Sequence, residues 1–411
     1  MASALSDVRV LDLSRVLAGP WATQILADLG ADVIKVERRG LGDDTRAWGP
    51  PYLTNQEGRP TSESAYFLTA NRNKRSLAVD IATPAGQEIV KSLACQSDVL
   101  VENFKAGGLA QYGLDYESLR EHNPRLIYCS ITGFGQTGPY ADRPGYDFAI
   151  QAIGGLMSIT GVPDGQPGAG PQKVGVALTD VMTGIYASTA ILAALHRRAT
   201  SGVGQYIDIS LLDVQLAALA NQASNFLTTG VSPVRLGNAH PNIVPYQDFE
   251  TSDGRLVVAV GNDTQFSSLC RVLLREELAD DERFSSNRGR VNTRATLIPM
   301  LQEDIRRWRT SELLGALEAN GVPCSPVNNI GQAFSDPHVI ARNTVIEQPH
   351  PLGGVVRTVA NPIRMSEAPP EYNAPPPLLG QHTREVLSGV LGMSDEKIDL
   401  LLNQQVIGVQ E

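Results

Sequence analysis

The chain has 411 residues, 42% hydrophobic and 19% charged, with a formal net charge of -10. That size buries a sizeable core and divides into two or three domains at ~150 residues each, while an acidic balance with no Lys/Arg-rich run excludes general nucleic-acid binding. Cys95, Cys129, Cys270 and Cys324 lie too far apart for a zinc or redox pair, and the six histidines include no HExxH-type ligand pair, so no metal is expected.

The opening MASALSD runs almost directly into strand-like VRVLDL and leaves no room for a cleavable signal, which makes the cytoplasm the expected compartment, with the mitochondrial matrix open only if a transit peptide is missing from this sequence. No stretch approaches ~20 uncharged apolar residues without a Gly, Asp or Arg, so no membrane span is expected. Val8 to Leu13 reads as a buried strand, Ser14 to Gly19 as a loop, Pro20 to Leu29 as a helix with Pro at its first position and Gly30 closing it, and Ala31 to Glu37 as the next strand. The alternation repeats through Pro84 to Ala94 (helix), Asp98 to Glu102 (strand), Tyr116 to Glu121 (helix) and Leu126 to Ile131 (strand), an α/β layout with a parallel, Rossmann-like sheet.

Composition shifts near Leu227, where TTGVSPVRLGNAHPNIVPYQ is rich in Gly, Pro and Asn. A hairpin follows, Gln247 to Thr251 and Arg255 to Val260 around Asp253-Gly254, then helices near Gln265 to Leu274, Thr293 to Trp308 and Ser311 to Ala319 and a return through Val322 to Asn328. The expected division is a large Rossmann-like domain, 1–224 plus 326–411, and a smaller α+β domain, 225–325. The Pro-rich Glu367 to Pro377 reads as a stiff, extended connector.

Asp180 is the only charged residue between Lys173 and His196, set between VGVALT and VMTGIYASTAILAAL. The spacing of Val181, Ile185, Tyr186, Thr189, Ile191 and Leu192 predicts a mostly buried helix with Asp180 at its start. There the carboxylate faces unpaired N–H groups and the positive end of the helix dipole, which favours the ionised form. Two roles fit it, a helix cap and chemistry.

Basic residues gather in the N-terminal part: Arg15, Arg38, Arg39, Arg46, and Arg72, Lys74 and Arg75 within NRNKRS. The loop after the first strand reads SRVLAGP rather than GxGxxG, and Arg38 and Arg39 behind Glu37 suit a phosphate better than a ribose diol, which disfavours a dinucleotide-dependent dehydrogenase. Asn103 and Phe104, directly after VLVE, offer an amide and an aromatic face to a purine.

LDLSRVLAGPWATQILADLGADVIKVERRGLGDDTR, NRNKRSLAVD, DVLVENF, IYCSITGFGQTGPY, the ALTD around Asp180, GNAHPNIVPYQDF and PPLLGQHT resemble, in order, the successive motifs of class III CoA-transferases, the formyl-CoA transferase and carnitine CoA-transferase family. DDTRAWGPP, NRNKRS, GLMSITG and GNAHPNIVPYQDF are most similar to the branch acting on succinyl-CoA and glutarate. The resemblance implies an interlocked homodimer of two threaded rings. It implies coenzyme A and acyl-CoA as substrates with no tightly bound cofactor, and CoA transfer from an acyl-CoA such as succinyl-CoA to a dicarboxylate such as glutarate. It identifies Asp180 as the catalytic nucleophile, forming first an aspartyl anhydride and then an aspartyl-CoA thioester.

With ordinary pKa values of ~3.9 for Asp and ~8.5 for a thiol, that nucleophile is expected to be ionised at neutral pH without a general base. The family comparison places the CoA contacts on Val16, Arg38, Arg72, Asn73, Arg75, Asn103 and Phe104. Gln111 and Thr132 stand where formyl-CoA transferase carries Arg and Lys, and are left out. Gly154 and Gly155, and the loop around Gly261, are candidate oxyanion donors. Arg46 and His240 are candidates for the second carboxylate of a dicarboxylic substrate. The alternative activity is that of alpha-methylacyl-CoA racemase, which has the same fold. That enzyme places a catalytic His between the Gly and Asp of a GHD motif, where this chain has Gly145, Tyr146 and Asp147. CoA transfer to oxalate or carnitine is a further alternative.

Overall fold

A computed structural model describes residues 3–410, and the chain falls into two compact units. The first comprises Met1–Gly155, Val174–Ala220 and Ile340–Glu411, the second Leu156–Lys173 and Asn221–Val339. The small domain expected at 225–325 thus falls within a second unit that also takes in 156–173 and runs on to 339.

The first unit is built on a seven-stranded sheet of β1 (Arg9–Asp12), β2 (Asp32–Arg38), β3 (Lys74–Val79), β4 (Val99–Glu102), β5 (Ile127–Thr132), β6 (Gln205–Ser210) and β7 (Ile407–Gly408). Its order is β7–β3–β2–β1–β4–β5–β6. Strands β1 to β6 are parallel and β7 is antiparallel. Without β7 this is the doubly wound dinucleotide-fold order, whose direction of winding reverses between β1 and β4.

Both faces of the sheet are covered, as parallel sheets require. Period-two alternation sends Leu11, Ile34, Leu77 and Leu100 to one face, under helix Pro84–Cys95 and the C-terminal helices, and Val10, Val33, Val99 and Val101 to the other. Each fully buried Leu contributes about 2 kcal/mol by its removal from water.

On the second face, helix Ala18–Asp28 packs against helix Leu178–Ser201. The approach is close at Gly184, where a Cβ would lie 2.7 Å from the Ala18 carbonyl oxygen. Pro20 is the third residue of its helix rather than the first, still within the turn whose N–H groups lack helical acceptors. Gly30, at φ 102, ends that helix as expected, with Ala31 N–H donating to the Leu26 carbonyl at 3.0 Å.

Helix Leu178–Ser201 has 24 residues and is long and apolar enough to cross a bilayer, contrary to the sequence reading, but Ala187, Ile191 and Ala194 pack into the sheet core. It is also less buried than its periodicity predicts, since Ile185 and Tyr186 are exposed.

Several charges lie inside the layers and persist because each is paired. Lys35 meets Asp43 at 2.9 Å, Lys74 meets Asp12 at 3.1 Å, and Glu37 meets Arg46 at 2.7 Å. Burial pulls the Asp43 carboxyl upward, but the Lys35 ammonium and the Thr45 N–H and hydroxyl outweigh it and hold Asp43 down to about 2.

The second unit centres on the hairpin Tyr246–Glu250 and Arg255–Ala259, to which Cys324–Pro326 adds antiparallel. Helices Asp263–Val272, Arg294–Ile305 and Thr310–Ala319 supply its own core around Phe249, Leu256, Phe266 and Leu301.

Candidate active site

Open parallel sheets bind ligands beyond the C-terminal ends of their strands where the winding reverses, here after β1 and β4. Leu13 to Leu17 leave β1, and Asn103 and Phe104 leave β4. Asn103 joins the two loops, its Oδ1 accepting from Arg15 N–H at 2.8 Å and its Nδ2 donating to the Arg15 carbonyl at 2.7 Å. Buried Glu102 accepts from Phe104 N–H at 2.7 Å, and burial pushes its carboxyl up to about 7.

Val16 sits at φ 70, a left-handed conformation unfavourable for a β-branched residue, and its N–H donates to both Asp43 oxygens at 3.3 Å. Arg15 pairs with Asp44 at 2.8 Å and lies 5.6 Å from the centre of the Phe104 ring.

A cavity of about 800 Å³ opens beyond β1, β2 and β3. Arg38 and Arg39 line it, and neither forms an ion pair among the described residues, which leaves two cations for phosphate groups. Val79, Asp80, Ile81 and Ala82 form another part of the wall. The sequence reading missed them, although they directly follow a strand, where the ligand rule points.

The basic run had drawn attention to the opposite end of the same strand. Arg72, Asn73 and Arg75 stand at the start of β3, on the far edge of the sheet from the cavity, and none lines it. Arg72 grips Asp28 at 2.6 Å and the Val359 carbonyl at 2.9 Å. Arg75 binds Asp32 at 2.6 Å and Glu385 at 3.0 Å. Asn73, at φ 61, takes the N–H groups of Asn373 and Ala374 at 2.8 and 3.0 Å, so it anchors the Pro-rich connector. Sequence proximity to a strand does not say which end of it a side chain occupies.

A second cavity of about 180 Å³ shares Arg15, Asp44 and Phe104 with the first and holds Asp180, along with Val16, Asn103, Lys105, Arg143 and Tyr146. Asp180 is the third residue of its helix, not the cap. Asp147 does the capping instead, its Oδ1 accepting from Thr179 N–H at 2.8 Å and Asp180 N–H at 3.4 Å, while Gln151 donates to its Oδ2 at 2.7 Å.

With that work taken over, the Asp180 carboxylate has no hydrogen bond or ion pair among the described residues. Burial first, and the Asp147 carboxylate second, push it up to about 7. This corrects the expectation of a fully ionised nucleophile: removal from water outweighs the helix N-terminus, and a second carboxylate already occupies the capping position. Tyr66 also feels Asp180: burial, then that carboxylate, raises its phenol.

Of the two residues proposed for a second carboxylate, Arg46 is not free to bind one. Arg46 is buried and bonded to Glu37 at 2.7 and 2.8 Å, Glu63 at 3.0 Å and the Pro377 carbonyl at 3.0 Å, with Phe67 stacked at 3.6 Å. His240 belongs to the second unit, where its Nδ1 accepts from Asn242 N–H at 3.0 Å and its ring lies 5.3 Å from Tyr246. Gly154 and Gly155 line neither cavity. A Cβ on Gly154 would sit 2.5 Å from Gln215 Cγ, so that glycine serves close packing, while Gly155 turns the chain at φ 81. Gly261, also in the second unit, donates its N–H to Gln265 at 2.7 Å.

The chain matches the family model "CoA-transferase family III" over residues 5–383. It is 53% identical over 384 residues to the succinate–glutarate CoA-transferase of Agrobacterium fabrum, covering 93% of this chain and 95% of that protein. Against the human succinyl-CoA:glutarate CoA-transferase it is 46% identical over 407 residues, covering 99% of this chain and 90% of that protein. The crystal structure of a CAIB/BAIF family protein from Brucella suis superposes with a TM-score of 0.82 at 48% identity, over 95% of this chain and all of that one. With a crevice at the winding reversal, free cations at one end and a lone carboxylate at the other, the chain belongs to CoA-transferase family III and is a CoA-transferase.

Proposed function

We propose that the protein moves CoA reversibly between succinyl-CoA and a dicarboxylic acid such as glutarate, with Asp180 as a covalent carrier. The observation that carries this reading is the unpaired Asp180 carboxylate in a cavity that adjoins the one with Arg38 and Arg39. Coenzyme phosphates meet those two arginines, and the loops of Val16, Asn103 and Phe104 lie between them and the carboxylate.

In the first half-reaction an Asp180 oxygen attacks the thioester carbonyl. The C–S bond breaks, and CoA thiolate leaves with the electron pair, giving an aspartyl acyl anhydride. The thiolate then attacks the Asp180 carbonyl carbon, releasing the donor acid as its carboxylate and leaving an aspartyl-CoA thioester. The acceptor carboxylate reverses both steps and departs as the new acyl-CoA. A carboxyl that titrates near 7 is a more basic, hence stronger, nucleophile than an ordinary aspartate, at the cost of being half protonated at neutral pH.

The activities named for the two relatives support the dicarboxylate. Against the racemase alternative stands position 146, where an exposed Tyr lines the cavity and no imidazole is present to exchange a proton. We also propose a homodimer, as the family resemblance implies. The exposed Ile185 and Tyr186 on the nucleophile's helix are apolar surface that a second copy would cover.

The test is to quench succinyl-CoA turnover, trap with hydroxylamine or borohydride, and weigh the Asp180 peptide. A modified peptide in wild type, absent from Asp180→Ala, is expected. An unmodified peptide under turnover would refute the carrier role. A panel of acceptors (glutarate, succinate, itaconate, malate, oxalate, carnitine) reads the substrate class, and preference for carnitine or oxalate would overturn the dicarboxylate.

A further inference from the structure

We propose that Arg143 holds the distal carboxylate of a dicarboxylic acyl group while its proximal carbonyl faces Asp180, which makes it the residue that selects dicarboxylates over monocarboxylates. The inference rests on the CoA-transferase reading above and adds to it a specific binding group.

Three cations line the smaller cavity with Asp180: Arg15, Lys105 and Arg143. Arg15 is already paired with Asp44 at 2.8 Å. Lys105 and Arg143 are both exposed, but Lys105 is a point charge on a flexible stem. Arg143 makes no ion pair among the described residues, yet its guanidinium is held in place, stacked 3.8 Å above the Tyr140 ring.

That ring is anchored in turn. Tyr140 meets Phe134 edge-on at 5.6 Å, and Phe134 packs on the sheet core, while Arg143 N–H donates to the Tyr140 carbonyl at 2.9 Å. The loop that carries this stack is pinched shut at its base by two glycines. A Cβ on Gly133 would lie 2.5 Å from Gly145 Cα, and one on Gly145 would lie 2.4 Å from Gly133 Cα, so neither position admits a side chain. A planar fork of donors, fixed by stacking and left without a partner, is the geometry that binds a carboxylate through two parallel hydrogen bonds.

The same fork would also bind a phosphate of the coenzyme. Two observations favour the acyl carboxylate. The larger cavity already has Arg38 and Arg39 free for phosphates and does not contain Asp180, whereas Arg143 shares the small cavity with the nucleophile. A volume of about 180 Å³ suits an acyl chain of a few carbons rather than a nucleotide.

The experiment compares succinyl-CoA with butyryl-CoA, which has the same chain length but no distal charge, in wild type, Arg143→Gln, Arg143→Lys and Lys105→Gln. Turnover is read as kcat/KM, and butyryl-CoA also as a competitive inhibition constant. Thermal melts show that each variant is folded. For Arg143→Gln the succinyl/butyryl preference is expected to fall about 10- to 100-fold, the range of a lost charge-assisted pair, with Arg143→Lys in between and Lys105→Gln near wild type. An equal loss for both acyl-CoAs would overturn the proposal and assign Arg143 to coenzyme phosphate. An unchanged preference would overturn it as well, and a fall confined to Lys105→Gln would move the role to that lysine. Failure of the transferase reading itself is visible separately, as absence of succinyl transfer by wild type.

Discussion

Replacing Asp180 with Asn keeps the shape of the side chain and removes its charge, so it should abolish transfer and stabilise the fold. The folded carboxyl titrates near 7 against an ordinary value of 3.8. That difference is roughly 3 pH units at ~1.36 kcal/mol each, or ~4 kcal/mol as an upper figure and ~2 to 4 kcal/mol for a group that water partly reaches. Below the unfolded value the carboxyl is protonated in both states, and the two proteins should be about equally stable. As pH rises from there toward 7 the unfolded chain releases its proton while the folded protein retains it, so wild type loses stability relative to the Asn variant. Above 7 both states are ionised and the gap stays constant. Urea unfolding of both proteins between pH 4 and pH 8.5 measures it. A gap that is flat with pH, or an Asn variant less stable at pH 8, would show that Asp180 is not held desolvated beside a second carboxylate.

Asp147 carries two separable duties, and substitution tells them apart. Asp147→Asn preserves a cap acceptor but removes the neighbouring charge, so the acidic limb of the kcat/KM profile should move to lower pH while remaining above an ordinary aspartate, because burial is the larger cause. Asp147→Ala should move the limb too and also cost about 1 kcal/mol of stability through the lost cap. An unmoved limb in the Asn variant would remove Asp147 from the electrostatics of the site. Arg46→Met leaves Glu37 and Glu63 buried without their cation, a loss of about 3 to 5 kcal/mol seen as a lower melting temperature, with the succinyl/butyryl preference of the folded fraction unchanged. Normal stability with a selective loss of dicarboxylate turnover would instead restore Arg46 as a substrate ligand.

Much of the central sheet was legible because its signals are local. The alternation of Val10 with Leu11 and of Val99 with Leu100 follows the pleat, Gly30 marks a helix end that needs a positive φ, and Asp253-Gly254 marks a hairpin. Each depends on a few adjacent residues. The same locality made Asp180 conspicuous as an isolated carboxylate.

Other features depend on which residues from distant stretches meet. The cap on the Asp180 helix comes from Asp147, 33 positions upstream, so a reading of that helix alone left capping open as a role for Asp180 and took its carboxyl to be fully ionised. The run NRNKRS looked like a phosphate site, but charge in a sequence carries no address: at the start of β3 those side chains tie the far edge of the sheet to Asp28, Asp32 and the Pro-rich connector. Likewise Arg46 looked available until Glu37, Glu63 and Pro377 converged on it, while Arg143 drew no attention before folding placed it in the same cavity as Asp180. The sequence by itself determined the fold class, the family and the identity of the lone carboxylate, because periodicity and motif order are properties of a line of residues. Which cations stay free, and how readily that carboxylate gives up its proton, were decided only in three dimensions, because pairing and exclusion of water depend on neighbours that the chain brings from far away.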